Sequence, residues 1–178
     1  MNQKQLKDLS VAMTGSVQRP GDPEYDQART IWNAMIDRKP AVIARCLTSD
    51  DVVAAVKFAA EHELLVSVRG GGHNVAGNAV CDDGLMIDLS LMNSVAVDPV
   101  AKTVVAGGGC TLGNVDVATH AHGLAVPAGI VSETGLGGLA LGGGVGWLVR
   151  KYGMTCDNLI SAEVVTADGR TLRGGDFI

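Results

Sequence analysis

Glycine is concentrated in two segments of this chain, and that concentration restricts the folds open to it. The segments are RGGGHNVAG, residues 69–77, and GLGGLALGGGVGW, residues 135–147. The whole chain has 24 glycines in 178 residues, and glycine loses more conformational entropy on folding than any other residue. Such a content indicates that the main chain closely approaches another group at these two places.

The composition limits the kinds of partner. The chain is 47% apolar and 19% charged, which is typical of a soluble globular protein with one core or two small lobes around a cleft. The net charge of -5, without a dense cluster of Lys and Arg, argues against nucleic acid and acidic membrane surfaces as partners. No apolar run has the length of a signal peptide or a membrane-spanning helix, so a cytoplasmic location is expected.

The four cysteines do not have the spacing of metal ligands. They are far apart in the sequence, without a CxxC pair or a regular Cys/His pattern. We therefore expect reduced, mostly buried thiols and no metal site. The cysteines are Cys46, Cys81, Cys110 and Cys156.

Residues 41–68 have the pattern of a strand, a helix and a second strand. The apolar run 41–47 is followed by apolar residues at helical spacing, with Ser49 or Asp50 as the helix cap, and then by the run 64–68. A unit of this kind places its two strands parallel in one sheet, and we expect the two strands to pair.

Short strands predominate after residue 85. The runs LMIDL, SVAVDP and KTVVAGGG precede a helix predicted from Thr111 to Gly123. Asp168-Gly169 predicts a type I′ hairpin turn, and a short helix is expected before Pro40. The predicted fold class is α+β with two lobes: a partly helical N-terminal segment, residues 1–37; a small parallel βαβ lobe, residues 38–92; and a mainly antiparallel lobe with helices, residues 93–178.

The first glycine segment has the character of an anion-binding loop. Gly70, Gly71 and Gly72 follow a predicted strand, where glycine lets backbone N–H groups converge on phosphate oxygens, and Arg69 adds positive charge. The P-loop motif is absent and the GxGxxG spacing does not fit. A dinucleotide held in some other way remains open.

Several motifs together resemble a known family. VRGGGHNVAG, GLAVPAGIVSETGLGGLALGGGVGWLVRKYGMTCDNL and AEVVTADGR resemble, in order and over residues 20–173, the FAD-linked oxidases of the berberine bridge enzyme-like group. Their FAD domain is of the type found in vanillyl-alcohol oxidase and p-cresol methylhydroxylase. The resemblance implies two α/β lobes around FAD, a glycine loop at its pyrophosphate and a bond from His73 to the 8α carbon of the flavin. A neutral imidazole nitrogen is a suitable nucleophile for that bond.

The resemblance also implies the cofactor-binding residues. Some family members attach the flavin through a second residue, a cysteine, but Val131 stands at that position, so a single link is expected. Val164, or its neighbour Val165, corresponds to a backbone contact to adenine, although this segment also alternates as an ordinary half-buried strand. The implied residues are Arg69, Gly70, Gly71, Gly72, His73, Asn74, Gly77, Ser132, Thr134, Gly135, Gly138, Gly142, Gly143, Gly146 and Val164.

The implied reaction is oxidation of a small organic molecule, with hydride transfer to FAD and reoxidation by O2 to H2O2. Family members are much longer, and their substrate domain and C-terminal segment, which carry the catalytic base, are expected to be absent here. Two alternatives stay open. One is an FAD-binding module without turnover, and the other is a relative that holds FAD without a covalent bond.

Overall fold

A four-stranded sheet forms the centre of the computed structural model, which describes residues 3–174. Its strands are β1 (Ser16–Gln18), β2 (Val42–Arg45), β3 (Val66–Arg69) and β4 (Leu85–Asp88), in the spatial order β1-β2-β4-β3. β4 is parallel to both β2 and β3, and β1 is antiparallel to β2. The expected parallel strands are present, but the predicted direct pairing of β2 with β3 is wrong because β4 lies between them.

Helices cover both faces of this sheet. Successive side chains of a strand point to opposite faces, so Val42 and Ala44 pack towards helix α3 (Ser49–Glu61), whereas Ile43 packs towards helix α2 (Tyr25–Arg29). Helix α1 (Gln3–Ala12) adds Leu9 to the α3 side. Burial on both faces explains why the first three residues of β2 and of β4 are all apolar and do not alternate with polar residues.

Helix α3 begins one residue earlier than the predicted caps allow. Thr48 is the N-cap, and its side chain accepts a hydrogen bond from the N–H of Asp51 at 3.2 Å, while the Asp51 carboxylate accepts from the N–H of Thr48. This reciprocal capping box satisfies two backbone donors at once. Ser49 and Asp50, the predicted caps, are already in the first turn.

The second half of the chain contains two separate antiparallel hairpins and short helices. The hairpins are β5 (Val95–Asp98) with β6 (Thr103–Ala106), and β7 (Ala162–Val165) with β8 (Thr171–Gly174). The helices are α4 (Leu112–His120), α5 (Leu136–Leu141) and α6 (Val149–Tyr152), with a 3-10 turn at Cys156–Asn158. Thr111 caps α4, and Gly123 with a φ of 67° ends the turn after it, as the sequence predicts. These elements confirm the α+β fold class.

The β7–β8 connection differs from the predicted type I′ turn. A type I′ turn needs positive φ at both central residues, but within residues 3–174 the non-glycine residues with positive φ are Glu63, Asp83 and Lys102. Only Gly169 of the Asp168-Gly169 pair is left-handed, with a φ of 74°. The N–H of Gly169 donates to the carbonyl of Thr166 at 2.8 Å. The hairpin is therefore correctly predicted in place, whereas its turn is a longer loop with a single left-handed glycine.

The predicted division into an N-terminal segment and two lobes stays a prediction. β1, from residues 1–37, belongs to the same sheet as β2. Residues 1–2 and 175–178, which the predicted N-terminal segment and second lobe include, lie outside the described residues. Among residues 3–174 no helix is long and apolar enough to cross a membrane.

Candidate functional site

The first glycine loop leaves the carboxyl edge of the parallel strands. β3 ends at Arg69 and β4 at Asp88, and these two residues are opposite each other in the sheet register. Residues 70–72 continue directly from β3. Ligands of open α/β sheets bind outside the carboxyl ends of parallel strands, so the loop is at the edge where such a site is expected.

Three glycine segments meet at this edge without room for side chains. A Cβ atom built on Gly71 would lie 2.4 Å from the nitrogen and 2.5 Å from the Cα of Gly135. A Cβ on Gly70 would lie 3.1 Å from the carbonyl oxygen of Gly108. The structure thus brings together the two segments singled out in the sequence and adds a third, residues 107–109. The AGGGC run at the end of β6 was the sequence signal for this third segment.

Backbone hydrogen bonds hold the loop before Gly135 against helix α4. The N–H of Leu112 donates to the carbonyl of Thr134, and that of Gly113 donates to the carbonyl of Ser132, both at 2.9 Å. The N–H of Leu136 closes the loop by donating to Cys110 at 2.9 Å. Ser132 and Thr134 are therefore fixed through their backbones, and within residues 3–174 their hydroxyl groups form no hydrogen bond.

His73 is next to the glycine loop and stacks on an aromatic ring. Its imidazole lies on the indole of Trp32 with 4.5 Å between ring centroids and 24° between ring planes. The Nε2 atom of His73 is buried without a hydrogen-bond partner, whereas Nδ1 is not buried in this way. Of the two ring nitrogens, Nε2 is thus the fully buried one and Nδ1 is not fully buried.

One guanidinium nitrogen of Arg69 is hydrogen-bonded, and another is buried without a partner. Its Nη1 donates to the carbonyl of Ala28 in helix α2, while its Nε is buried without a partner beside the Gly72 turn. A buried, unpaired guanidinium nitrogen carries a desolvation cost unless an acceptor is present. This orphaned donor fits an acceptor group at the loop.

The segment after α2 braces the whole loop from residue 72 to residue 80. The N–H of Trp32 donates to the carbonyl of Gly72 at 3.1 Å, and Asn33 Nδ2 donates to the carbonyl of Val75 at 2.8 Å. Arg38 Nη1 donates to the carbonyl of Gly77 at 2.9 Å. The predicted short helix before Pro40 thus ends already at Arg29, because the residues after it bond to the loop.

Asn74 and Gly77 have structural roles inside the same loop. Asn74 Oδ1 accepts from the N–H of Asn78 at 3.0 Å, and its carbonyl accepts from the N–H of Gly77 at 3.0 Å. Gly77 has a φ of 76°, a conformation that favours glycine. Their predicted contact with the cofactor remains a prediction.

The later glycines of the second segment differ in their surroundings. A Cβ on Gly138 in α5 would meet no atom within 4 Å, whereas a Cβ on Gly146 would lie 1.7 Å from the carbonyl oxygen of Ala128. Gly143 has a φ of 97°, and Gly142 caps α5. The left-handed backbone accounts for glycine at residue 143 and close packing accounts for it at residue 146, while Gly138 presents an open surface.

Val164 lies in the β7–β8 hairpin beside helix α3. It is half-exposed, and its neighbour Glu163 accepts a hydrogen bond from the Ser49 hydroxyl at the start of α3. Glu163 also accepts from Arg173 Nε at 2.6 Å, which fixes the hairpin internally. The predicted backbone contact of Val164 to adenine stays a prediction.

Cys110 is the thiol beside the glycine segments. Its side chain is fully buried and donates to the carbonyl of Ser94 at 3.4 Å. Burial raises the pKa of the Cys110 thiol, so its thiolate, the reactive form, is disfavoured. Val131, at the position expected for a second attachment, has no thiol at all. Residues 3–174 contain no cluster of His, Cys, Asp and Glu that could hold a metal ion.

The family model for the FAD binding domain matches residues 40–175. The chain belongs to this family. The FAD binding domain includes every glycine segment described above and His73, so the resemblance to FAD-linked oxidases is confirmed.

Similar proteins include (R)-6-hydroxynicotine oxidase of Paenarthrobacter nicotinovorans, which is 39% identical over 99% of this chain and 38% of its own length. An FAD-linked oxidoreductase of Dictyostelium discoideum is 43% identical over 92% of this chain and 36% of its own. The chain therefore spans little more than a third of the curated relatives that it matches.

Solved structures show the same fold. A crystal structure of 6-hydroxy-D-nicotine oxidase from Arthrobacter nicotinovorans superposes with a TM-score of 0.91 at 39% identity, covering 93% of this chain and 37% of that one. BBE-like 1 of Physcomitrella patens gives a TM-score of 0.90 at 30% identity over 97% of this chain and 38% of its own. These proteins are of the type that the sequence motifs resemble.

Proposed function

We propose that this FAD binding domain holds the FAD pyrophosphate at the carboxyl edge of β3 and β4 and bonds the flavin once, through His73. The observation that carries the proposal is the contact of Gly71 with Gly135. The two backbones meet there in a glycine cradle, so close that a Cβ on either residue would overlap the other, and the imidazole of His73, whose Nε2 alone is fully buried and unpaired, belongs to the residue two positions after Gly71. Backbone N–H groups gathered in this way are suited to phosphate oxygens.

The other predicted residues have supporting roles in this proposal. Arg69 Nε, buried and unpaired, would donate to a phosphate oxygen while Nη1 stays bonded to Ala28. The free hydroxyls of Ser132 and Thr134 and the open surface at Gly138 are available to the rest of the cofactor. Nδ1 of His73 is the proposed attachment atom, because Nε2 is buried.

The whole protein is proposed to be an FAD-linked oxidoreductase. When bound, FAD accepts hydride from a small organic substrate and returns the electrons to O2, which leaves as H2O2. The chain's own contribution is to orient the cofactor and to hold it permanently through His73. Relatives named as oxidases support this assignment. A cytoplasmic location remains a proposal, consistent with the four free cysteines.

The second candidate function is an FAD-binding module without turnover of its own. This alternative is favoured by how little of its relatives the chain matches. The match spans 38% of the length of (R)-6-hydroxynicotine oxidase and 36% of that of the Dictyostelium discoideum oxidoreductase. Peroxide production with alcohols, sugars and amines distinguishes the two. Peroxide formed by the 178-residue chain would contradict the module, and its absence in a chain extended to the length of the relatives would contradict the oxidase.

The covalent link is tested by intact mass and visible spectrum after acid denaturation. We expect an FAD-sized mass increment in the wild-type chain and its loss in His73→Ala. His120→Ala, at the exposed end of α4, is the matched control and should keep the increment. A yellow wild-type protein that releases all of its flavin on denaturation would contradict the covalent link while leaving FAD binding intact.

A further inference from the structure

We infer that Trp32 is a positioning residue, which holds the His73 imidazole in one orientation and thereby sets the rate at which the flavin is attached. The inference rests on the proposed link through His73 and deepens it. It concerns a residue outside both glycine segments and outside the family match, which begins at residue 40.

The first argument is that the Trp32 side chain is not part of the hydrophobic core. It is 56% exposed, whereas its neighbour Ile31 is only 6% exposed and belongs to the core cluster between the sheet and helix α2. An exposed indole contributes little to stability through burial. Its one ring contact among the described residues is the stack on His73, at 4.5 Å and 24°. An offset, nearly parallel pair of this kind is attractive beyond the area that it buries.

The second argument is that Trp32 restrains His73 at two points. The indole lies on the imidazole, and the backbone N–H of Trp32 donates to the carbonyl of Gly72, the residue immediately before His73. Gly72 has a φ of 68°, a left-handed conformation that favours glycine, and the hydrogen bond restrains this flexible residue. The stack keeps the imidazole from turning, and the hydrogen bond fixes the backbone from which the His73 side chain extends.

The third argument is that this orientation selects a nitrogen. With the ring against Trp32, Nε2 is fully buried without a partner, whereas Nδ1 is not fully buried. Within residues 3–174 no hydrogen bond holds the His73 ring, and the stack on Trp32 is its one ring contact. A half-turn of the imidazole about its Cβ–Cγ bond would exchange Nδ1 with Cδ2 and Nε2 with Cε1, and Trp32 opposes that rotation.

The attachment step depends strongly on such orientation. One imidazole nitrogen bonds to the 8α carbon of the flavin, the carbon and the imidazole each give up one hydrogen, and the two electrons pass to dioxygen, which leaves as hydrogen peroxide. Bond formation requires the reacting atoms to be held in line at close range, and a misplacement of about 1 Å costs on the order of a hundredfold in rate.

The experiment compares Trp32→Leu, Trp32→Phe and Met35→Ala with the wild-type chain. Met35 is the matched control, because it is in the same segment and is 91% exposed. The flavin-free proteins are mixed with FAD in air, and the covalent fraction is followed with time by mass after acid denaturation. Flavin that is bound without a covalent bond is measured separately by fluorescence quenching before attachment proceeds.

We expect attachment to be roughly ten- to a hundredfold slower in Trp32→Leu, with non-covalent FAD affinity nearly unchanged. Trp32→Phe, which can still stack, should restore most of the rate, and Met35→Ala should behave as wild type. Attachment by Trp32→Leu at the wild-type rate would overturn the inference. Equal melting temperatures of the variants exclude a folding defect as the cause of slow attachment.

Nuclear magnetic resonance of the flavin-free chain gives a readout that does not depend on the covalent link. Protons above an indole face are shielded, so the His73 ring signals should move downfield in Trp32→Leu and stay in place in Met35→Ala. If the wild-type chain attaches no flavin, the proposed link fails, and the positioning role is judged by these signals alone. Unchanged His73 signals in Trp32→Leu would then overturn it.

Discussion

Two residues at the glycine cradle illustrate how a contact can depend on the absence of side chains. Gly71 and Gly135 come so close that each occupies the space of the other's missing Cβ. The sequence showed that glycine was abundant here, but it could not show which glycines would touch, because the contact joins residues that are far apart in the chain. His73 was predicted from its motif, whereas the Trp32 stack depends on a non-local contact that no sequence pattern indicated.

Replacing Gly71 with alanine should separate the two glycine segments. We expect Gly71→Ala to lower the free energy of unfolding by about 1–3 kcal/mol, the usual cost of overpacking, and to weaken FAD binding. Gly138→Ala is the control for stability, since its Cβ would meet nothing within 4 Å. In helix α5 that change should stabilise by up to about 1 kcal/mol. Equal melting temperatures for the two variants would contradict the predicted contact.

Asp51 should make stability depend on pH in the acidic range. Burial raises the pKa of its carboxyl, but four backbone N–H donors, those of Leu47, Thr14, Gly15 and Thr48, outweigh that effect and hold the pKa below its ordinary value. A lowered pKa stabilises the fold above the unfolded-state value of about 3.9. That stability is lost as the pH falls through the folded-state pKa.

The variant Asp51→Asn tests this effect in chemical denaturation at several pH values. At pH 7 we expect a loss of about 2–4 kcal/mol, because an amide replaces a buried acceptor of several hydrogen bonds. Below about pH 4 the difference from wild type should shrink. Asp50→Asn, in the exposed first helical turn, should change stability by less than about 1 kcal/mol. A gap between wild type and Asp51→Asn that stays constant with pH would contradict this account.

Among the secondary-structure elements, local signals predicted those that local interactions stabilise. Helix α3, helix α4 and the β7–β8 hairpin are where periodicity and turn residues placed them. The segment after α2 could not be predicted in this way, because its backbone and side chains bond to the loop at residues 72–80. Tertiary contacts of this kind override helix propensity.

The start of helix α3 gives a prediction at this level. Thr48→Ala removes the side-chain half of the capping box and should cost about 1 kcal/mol of stability. Ser49→Ala, one residue on, leaves the cap intact and removes only an exposed hydrogen bond to Glu163. It should cost less than about 0.5 kcal/mol. The free energies of unfolding of the two variants, measured by urea denaturation, decide whether Thr48 or Ser49 caps the helix.

At the scale of the whole molecule, the order of the strands in the sheet could not be predicted from the sequence. Periodicity identifies β2, α3 and β3 as a unit, but the insertion of β4 between the two strands depends on long-range pairing, such as Val42 with Leu85 and Val66 with Leu85. The same limit applies to the N-terminal segment. Its α1 and β1 lie outside the family match, which begins at residue 40, yet both pack on the central sheet and its helix.

Leu9 should therefore be important for stability despite its place outside the matched domain. It is 2% exposed in the α3-side core, and Leu9→Ala should cost about 2–5 kcal/mol through lost burial and the cavity left behind. Val11→Ala, on the same helix with 79% of its side chain exposed, is the matched control. It should stay within about 0.5 kcal/mol of wild type. Thermal unfolding of both variants provides the measurement.

The central place of β4 also governs the order in which the chain can fold. As the chain leaves the ribosome, β2 and β3 emerge before the strand that joins them, and they share no hydrogen bonds of their own. The βαβ unit is thus not an autonomous folding unit, and the hairpin of β1 with β2 is the part of the sheet that can form first. Pairing between distant strands costs loop-closure entropy before the new contacts add any stability, so such sheets are slow to form. The glycine cradle, one wall of which continues directly from β3, is completed only after that closure.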